Sequence, residues 1–598
     1  MVKRIKTSPS EIFKEYTAGA DFKAGIGDKG ICEQAKINER FYVGDHWHGA
    51  KCGADRPLVR RNIIRRIADY KLSCIGSAPL VVNFSAEGIA TNTVNDSTYK
   101  SVYEQVVSGK TDFSGATGET ETAMVMDFLT SYGNSTAERL KFDSLAAEAL
   151  KNAYTSGTGI LYTYWDSLTE TGLYADKEKN VPIKGDIACQ VLEIENVVFG
   201  DPNCADTQRQ PYIIIASRRD ADDVIREARR NGMPAEIIEK IKPDNDMFYT
   251  GLDNEPSFSR RVTVYTKFYK EWNKEGSEYK VMCVKCTADA VIRRPFDTGV
   301  KLYPLAVMRW DSRKNSAYGE SEITYLIPNQ IAVNRALSAQ VWSLMLNGMP
   351  IMVVNGDIVD NITNDPGQII KVFGSSEDMM SAVRYIQPPS FAGQMISGIN
   401  DLASNTLSDS GANDAALGNV RPDNAAAIIQ MREAALQPLQ LKQSAYYAFI
   451  EEVMRIWAEF WLNLYGDRRL KISTPTGVAY VPFHASRYGS LLINAKVDVG
   501  ASTLWSQSVV VSTLDSLLAA KVITPQQYLE RVPENIIPNK TGLINELKQL
   551  SGGIGLPDKA DEDILKQLAE KSPEGAGKYQ QLPPEKQQEL LEIALKEV

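Results

Sequence analysis

Between Ser316 and Tyr465 the spacing of apolar positions switches repeatedly, and each switch predicts a different element. Ile323, Leu326, Ile327, Ile331, Ala332, Leu337, Val341, Leu344 and Met345 recur at three- and four-residue intervals. That is one face of a helix, predicted from about Glu320 to Asn347. Pro328 falls inside it, where a missing N–H and a ring clash imply a kink or a start nearer Asn329. After Gly348-Met349-Pro350, the short β-branched runs Ile351–Val354 and Gln368–Phe373 follow turn residues and predict two strands of a small sheet. Such a pair is too small to stand alone. Ser390 can cap a weakly apolar helix carrying Phe391, Met395, Ile399, Leu402 and Thr406. Periodicity is lost from Ser408 to Asn424, where Gly411, Gly418 and Pro422 predict a loop. Asp423 or Asn424 then caps a run to Tyr465 that would reach about 60 Å as one helix, kinked at Pro438.

Upstream, Ser8-Pro9-Ser10-Glu11 has capping-box spacing with Pro at the first helical position. A helix is predicted from about Lys29 to Tyr42, and another after Arg56-Pro57. The second has Val59, Ile63, Ile64 and Ile67 on one side and Arg60, Arg61, Arg65 and Arg66 on the other. This basic helix has the chemistry to hold phosphate, but ion pairs on a solvated face account for it more simply. Positions 87–118 are rich in Ser, Thr, Gly and Asn and read as an exposed insertion. A helix from about Ala137 to Ser156 leads into a largely antiparallel region, with strands at Ile160–Trp165, Ala188–Leu192, Val197–Phe199, Tyr212–Ser217, Arg261–Trp272, Glu278–Val284 and Leu305–Trp310. A helix at Ala221–Asn231 interrupts them. Strands follow at Lys471–Thr474, Val478–Phe483 and Asn494–Ala501. Thr524-Pro525-Gln526-Gln527 repeats the capping-box spacing, and helical pieces close the chain. The sum is an α+β chain, predominantly helical.

Composition narrows the class. At 598 residues several substructures are expected, and 43% hydrophobic with 24% charged residues argues against wholesale disorder. No apolar run approaches the roughly 18 residues of a membrane span. No apolar stretch follows Met1-Val2-Lys3-Arg4 as in a secretory signal, and seven scattered Cys suggest reduced thiols of cytoplasmic origin. A net charge of −9 disfavours a protein that grips DNA by overall basicity.

Candidate chemistry is thin. Cys283-Val284-Lys285-Cys286 has metal-knuckle spacing but sits in a predicted strand, where positions three apart face opposite ways. His46 and His48 flank Trp47, and His484 stands apart; structural roles fit them best. Asp409, Asp414 and Asp423 near Arg421 read as loop solubility as much as metal ligands. There is no phosphate loop of the GxxxxGK[ST] type. The expectation is therefore no enzyme, no cofactor and no metal.

The order of elements and several short motifs resemble the portal proteins, the head-to-tail connectors of tailed bacteriophages. The carriers are Asn38-Glu39-Arg40-Phe41-Tyr42-Val43-Gly44-Asp45, Arg56-Pro57-Leu58-Val59 leading to Asn62-Ile63-Ile64, Asp201-Pro202, Tyr303-Pro304-Leu305, Tyr318-Gly319-Glu320-Ser321, and Asn329-Gln330 with Asn334. They are spread from about Ser8 to Leu550. The resemblance implies a wing over 1–315, a first stem helix over 316–348, a clip over 349–389 and a second stem helix over 390–407. It implies a tunnel loop over 408–424, more wing over 425–513 and a crown over 514–598. It further implies a ring, twelve subunits in virions, around a channel for double-stranded DNA at one capsid vertex. The implied partners are the large terminase subunit, the major capsid protein and head-tail adaptor or tail proteins, with no membrane. The implied location is the virion, after synthesis in the host cytoplasm.

By position, Gly411, Asn413, Gly418, Asn419 and Arg421 become tunnel-loop contacts to DNA. Asn355, Asp357, Asn361, Asn364 and Asp365 become a docking surface on the clip. The alternatives are another helical ring or adaptor protein of the head-tail junction and a nucleic-acid-processing enzyme.

Overall fold

The computed structural model describes residues 7–51, 56–76, 80–86, 118–176, 181–244, 260–273, 277–347, 351–355, 383–386, 393–412, 437–474, 477–485, 493–498, 504–520 and 522–532, with isolated positions between 275 and 543. The chain divides into two compact units, Met1–Val499 and Gly500–Val598.

In the first unit, α1 (Pro9–Ala24), α2 (Ile31–Val43) and α3 (Ile63–Gly76) precede strand β1 (Val81–Ala86). Then come α4 (Gly118–Leu140), α5 (Phe142–Ser156), β2 (Thr158–Asp176), β3 (Val181–Leu192), β4 (Val197–Phe199) and β5 (Tyr212–Asp220). Helices α6 (Ala221–Arg230) and α7 (Ala235–Ile238) lead to β6 (Arg261–Trp272), β7 (Tyr279–Cys286), β8 (Val291–Asp297), β9 (Leu305–Arg309), β10 (Asp311–Ser312) and β11 (Gly319–Glu320). Next are α8 (Glu322–Asn347), β12 (Ile351–Val354), β13 (Val383–Ile386), α9 (Gly393–Asp409) and α10 (Gln440–Leu464), then β14 (Asp467–Thr474), β15 (Gly477–His484) and β16 (Ile493–Asp498). The second unit contains α11 (Leu504–Ala519) and α12 (Pro525–Arg531).

The expectation of a predominantly helical chain is overturned. The structure is 52% helical and 24% strand, with several antiparallel sheets, and it shows no ring. Strands β4-β5-β6-β7-β8 form one sheet and β3-β2-β9 another. Much of the unexpected strand lies where polar residues disguise it. β2 runs on past Trp165 through Asp166-Ser167-Leu168-Thr169-Glu170, paired with β3 through register shifts, because a two-stranded ribbon in water needs no apolar face.

The five-stranded sheet is buried on both faces. Ile213, Ile215, Phe268 and Cys283 enter one core, while Ile214, Ala216, Tyr265, Val284 and Cys286 enter another, beside Ile12 and Tyr16 of α1. Cys283 and Cys286 thus sit on opposite faces, as strand alternation requires. Their sulfurs do not converge, and burial pushes each thiol up to about 12.

The largest core is organised by α10, whose second half buries Phe449, Ile450, Val453, Met454, Trp457 and Trp461 and leaves Arg455 and Asn463 exposed. Trp457 meets Phe142 edge-on at 5.1 Å, and Trp461 meets Tyr132 at 5.3 Å and Phe84 at 5.8 Å. Phe84 belongs to β1, which pairs antiparallel with β16 across more than 400 positions of sequence, Val81 opposite Asp498.

Several boundaries shift. The predicted Ala137–Ser156 helix is two helices, broken at Lys141, whose φ is 50°. Gly157 ends α5 at φ 83°, and a Cβ there would lie 2.6 Å from the carbonyl oxygen of Gly319. The spacing at Ser8 does not cap the backbone; its hydroxyl donates to Glu11 Oε2 at 2.7 Å instead. At Thr524 the reciprocal capping box forms. Of the predicted long helix, α10 is preceded by a 3₁₀ turn at Gln437–Leu439, around Pro438, and 413–436 lie outside the described residues. Positions 87–117 also lie outside them.

Candidate channel segment and its polar junction

The stretch from Glu322 to Leu464 carries helix α8, the antiparallel pair β12–β13, helix α9 and helix α10 in that order. The partner of Ile351–Val354 is not Gln368–Phe373 but Val383–Ile386, with Ile351 opposite Ile386 and Val354 opposite Val383. Lys371, the one described residue of the predicted strand, lies in no strand. The run Val383-Arg384-Tyr385-Ile386 is too short and too mixed to stand out from its surroundings, so periodicity favoured the more apolar segment.

Helix α8 continues through Pro328 from its start at Glu322. Ser321 caps this start: its hydroxyl accepts from Ile323 N at 3.1 Å and donates to Tyr154 O at 2.6 Å. Glu322 pairs with the Lys71 ammonium and accepts from Trp310 Nε1 at 3.3 Å. Ile323, Leu326 and Val333 enter the main core. The same apolar stripe then outruns that core: Leu344 and Met345 are 62% and 60% exposed, and Leu441, at the start of α10, is 82% exposed.

Several of the residues that carried the resemblance, Asn38, Asn62, Asn329, Gln330 and Asn334, meet on or against α8. Gln330, Asn334 and Ser338, four apart on one face, take up the backbone of the irregular segment 59–62 and of the first residues of α3. Val59 N donates to Ser338 Oγ at 3.0 Å and Arg61 N to Asn334 Oδ1 at 3.1 Å. Gln330 Oε1 accepts from Ile63 N at 2.8 Å and Ile64 N at 3.3 Å, while its Nε2 donates to Arg61 O at 2.6 Å and Asn334 Oδ1 at 3.0 Å. Asn62 Oδ1 caps α3 by accepting from Arg65 N at 2.9 Å, and its amide donates to Tyr42 O at 3.0 Å. Asn38, buried in α2, donates to Thr155 O at 2.9 Å and Thr324 Oγ1 at 3.1 Å. Asn329 Nδ2 donates to Thr406 Oγ1 at 3.3 Å, joining α8 to α9.

His46 completes the junction. Asn334 Nδ2 lies 2.8 Å from Nδ1 and Phe41 O lies 3.1 Å from Nε2. With Asn334 Oδ1 engaged by two donors, its amide nitrogen faces the ring, so Nδ1 accepts and Nε2 carries the proton. Burial, and secondarily the charge of Arg60, lower the pKa of the ring. These side chains saturate one another. The arrangement fixes three chain segments to α8 and leaves no aligned nucleophile and base. A buried amide is the detectable signal, since Gln330 and Asn334 interrupt an apolar helix at four-residue spacing.

The predicted basic helix is corrected in part. α3 begins at Ile63, so Arg60 and Arg61 lie in the segment before it and only Arg65 and Arg66 are helical. Gln330 and Asn334 bind this segment at Arg61 O and Arg61 N, and it lies outside any helix where periodicity alone suggests one.

Among the clip candidates, Asn355 forms a turn, accepting from Asp357 N at 3.2 Å, while Asn361, Asn364 and Asp365 lie outside the described residues. Of the tunnel-loop candidates, Gly411 is described, at φ 81°; Asn413, Gly418, Asn419 and Arg421 lie outside. No helix among the described residues is long and apolar enough to cross a membrane.

No protein-family model matches the chain, and no curated protein is significantly similar to it.

Proposed function

We propose that the chain is a subunit of a bacteriophage portal, a ring at one capsid vertex through which genomic DNA is packaged and ejected. In this role it would serve as the docking platform first for terminase and then for adaptor or tail proteins. The observation that carries the reading is the order helix, antiparallel strand pair, helix, core helix, with β12 paired to β13 between the helices α8 and α9, ahead of α10.

Three features support it. A hairpin of two four-residue strands has little stability by itself, and neighbouring copies would supply the missing support. The exposed Leu344 and Met345 continue the buried face of α8, as expected where a second subunit completes the wall. The acidic net charge also suits a conduit, because each phosphate neutralised adds affinity that moving DNA has to break.

Native mass spectrometry of the full chain tests the reading. A closed multimer of many subunits, with fixed stoichiometry across concentrations, supports it. A monomer or dimer under every assembly condition contradicts it.

A further inference from the structure

The last turn of α1 carries Lys23, which is 0% exposed. Its Nζ donates to three backbone carbonyls of one short stretch: Ile194 O at 2.9 Å, Glu195 O at 2.9 Å and Val197 O at 3.2 Å. That stretch joins the 3₁₀ turn Ile194–Asn196 to β4, the edge strand of the five-stranded sheet. Three acceptors around one nitrogen match the three hydrogens of an ammonium, whereas a neutral amine would turn its lone pair on one of them. Burial lowers the pKa of Lys23, opposed by Cys32 and by the Glu195 carboxylate. That carboxylate pairs with Lys36 at 3.8 Å, so the direct ligands of the buried charge are the carbonyl oxygens. The turn is also rich in acceptors: Asn196 is buried, and its Oδ1 is unpartnered among the described residues.

We infer that the carbonyls of Ile194, Glu195 and Val197 form a binding site for a monovalent cation of ammonium size, which the chain fills with its own Lys23 ammonium. The distances select the class of ion. Oxygens at 2.9–3.2 Å suit an ammonium, whereas calcium and magnesium draw theirs in to about 2.3–2.6 Å and 2.0–2.1 Å. Neutral carbonyls can replace the hydration shell of a singly charged ion, while the divalent ions are bound with carboxylates. Lys23 is thus a tethered ligand, whose covalent stem spares the cost of immobilising a free ion. It ties the end of α1 to the sheet edge, where an unpaired strand is otherwise open to other chains. Nearer the start of α1, the ion pair of Glu15 with Lys267 of β6 makes a second polar tie to the same sheet. The site lies within one subunit and stands whether or not copies assemble.

The test is urea unfolding of the full chain at constant ionic strength in ammonium, n-propylammonium or tetramethylammonium chloride. Lys23→Ala removes stem and charge, whereas Lys23→Met keeps a stem that ends one atom short of the nitrogen. Both should unfold at lower urea than wild type, because buried carbonyls lose their donors. Ammonium should return about half or more of the lost midpoint in both variants. The n-propylammonium ion, which carries the missing stem, should do so only in Lys23→Ala. Tetramethylammonium has no N–H and should return none of it. Wild type and Lys36→Ala should not distinguish the three salts. Where Lys23→Ala folds in none of them, Lys23→Met carries the comparison. Wild-type midpoints in both variants, or no greater gain from ammonium than from tetramethylammonium, overturn the inference. Failure of both variants to fold in any of the salts also overturns it.

Discussion

The amide nitrogen of Asn334 stands 2.8 Å from Nδ1 of His46, while the opposite ring nitrogen meets Phe41 O at 3.1 Å. Through this contact the loop after α2, the arginine-bearing segment and α8 share one hydrogen-bond network. A proton arriving at Nδ1 would face an amide that can turn its oxygen to the ring only by abandoning Arg61 N and Gln330 Nε2.

The network therefore makes stability depend on pH with a definite sign. The folded pKa of His46 is lowered from its ordinary 6.5, so between the two values the unfolded chain binds more protons. This contribution is complete above about 6.5 and is lost as pH falls toward the folded value. Urea unfolding midpoints should fall between neutral pH and pH 5, and His46→Asn should flatten part of that fall. An identical pH profile in the variant contradicts the assignment.

Gln330 should matter more than its neighbours on the same face. Gln330→Ala strands Ile63 N, Ile64 N and Arg61 O in a buried setting, at a cost of about 3 kcal/mol, against about 1 kcal/mol for Ser338→Ala. Denaturant titrations of the two variants decide this; equal losses would show that the amide is not the clamp.

How much of this was legible in sequence depends on the range of the interaction. α8 could be read within two residues of its start because Ile323, Leu326 and Val333 repeat locally. Most strands of the antiparallel zone from Thr158 to Arg309 were likewise visible in their apolar runs, but β8 and the polar ribbon formed by the second half of β2 and the first half of β3 were not. The pairing of Ile351–Val354 with Val383–Ile386, and of Val81–Ala86 with Ile493–Asp498, was not, since a register between distant segments leaves no local period. The non-helical course of Arg60 and Arg61 was hidden for a related reason: the segment is bound by side chains some 270 positions away. The candidate site was visible as motif residues but not as a network.

Trp457 anchors the central helix against α5. Trp457→Ala should cost about 3–5 kcal/mol, because the ring is fully buried against Phe142 and its removal leaves a cavity. A thermal or chemical unfolding series reads the loss. A cost below about 1 kcal/mol would mean that the helix is not the organising core.

Substitutions at the exposed Leu344 and Met345 test assembly apart from folding. Replacing both with Glu should leave the subunit's stability within about 0.5 kcal/mol, since both side chains are exposed, while abolishing higher oligomers in sedimentation velocity. Oligomers of unchanged size would exclude this stripe from the contact between copies.

The central claim is that copies of this chain surround an axial passage. Electron microscopy of the purified full chain under assembly conditions tests it most directly. The account predicts closed rings whose end-on views show a central opening; solid particles or isolated subunits at every concentration would contradict it.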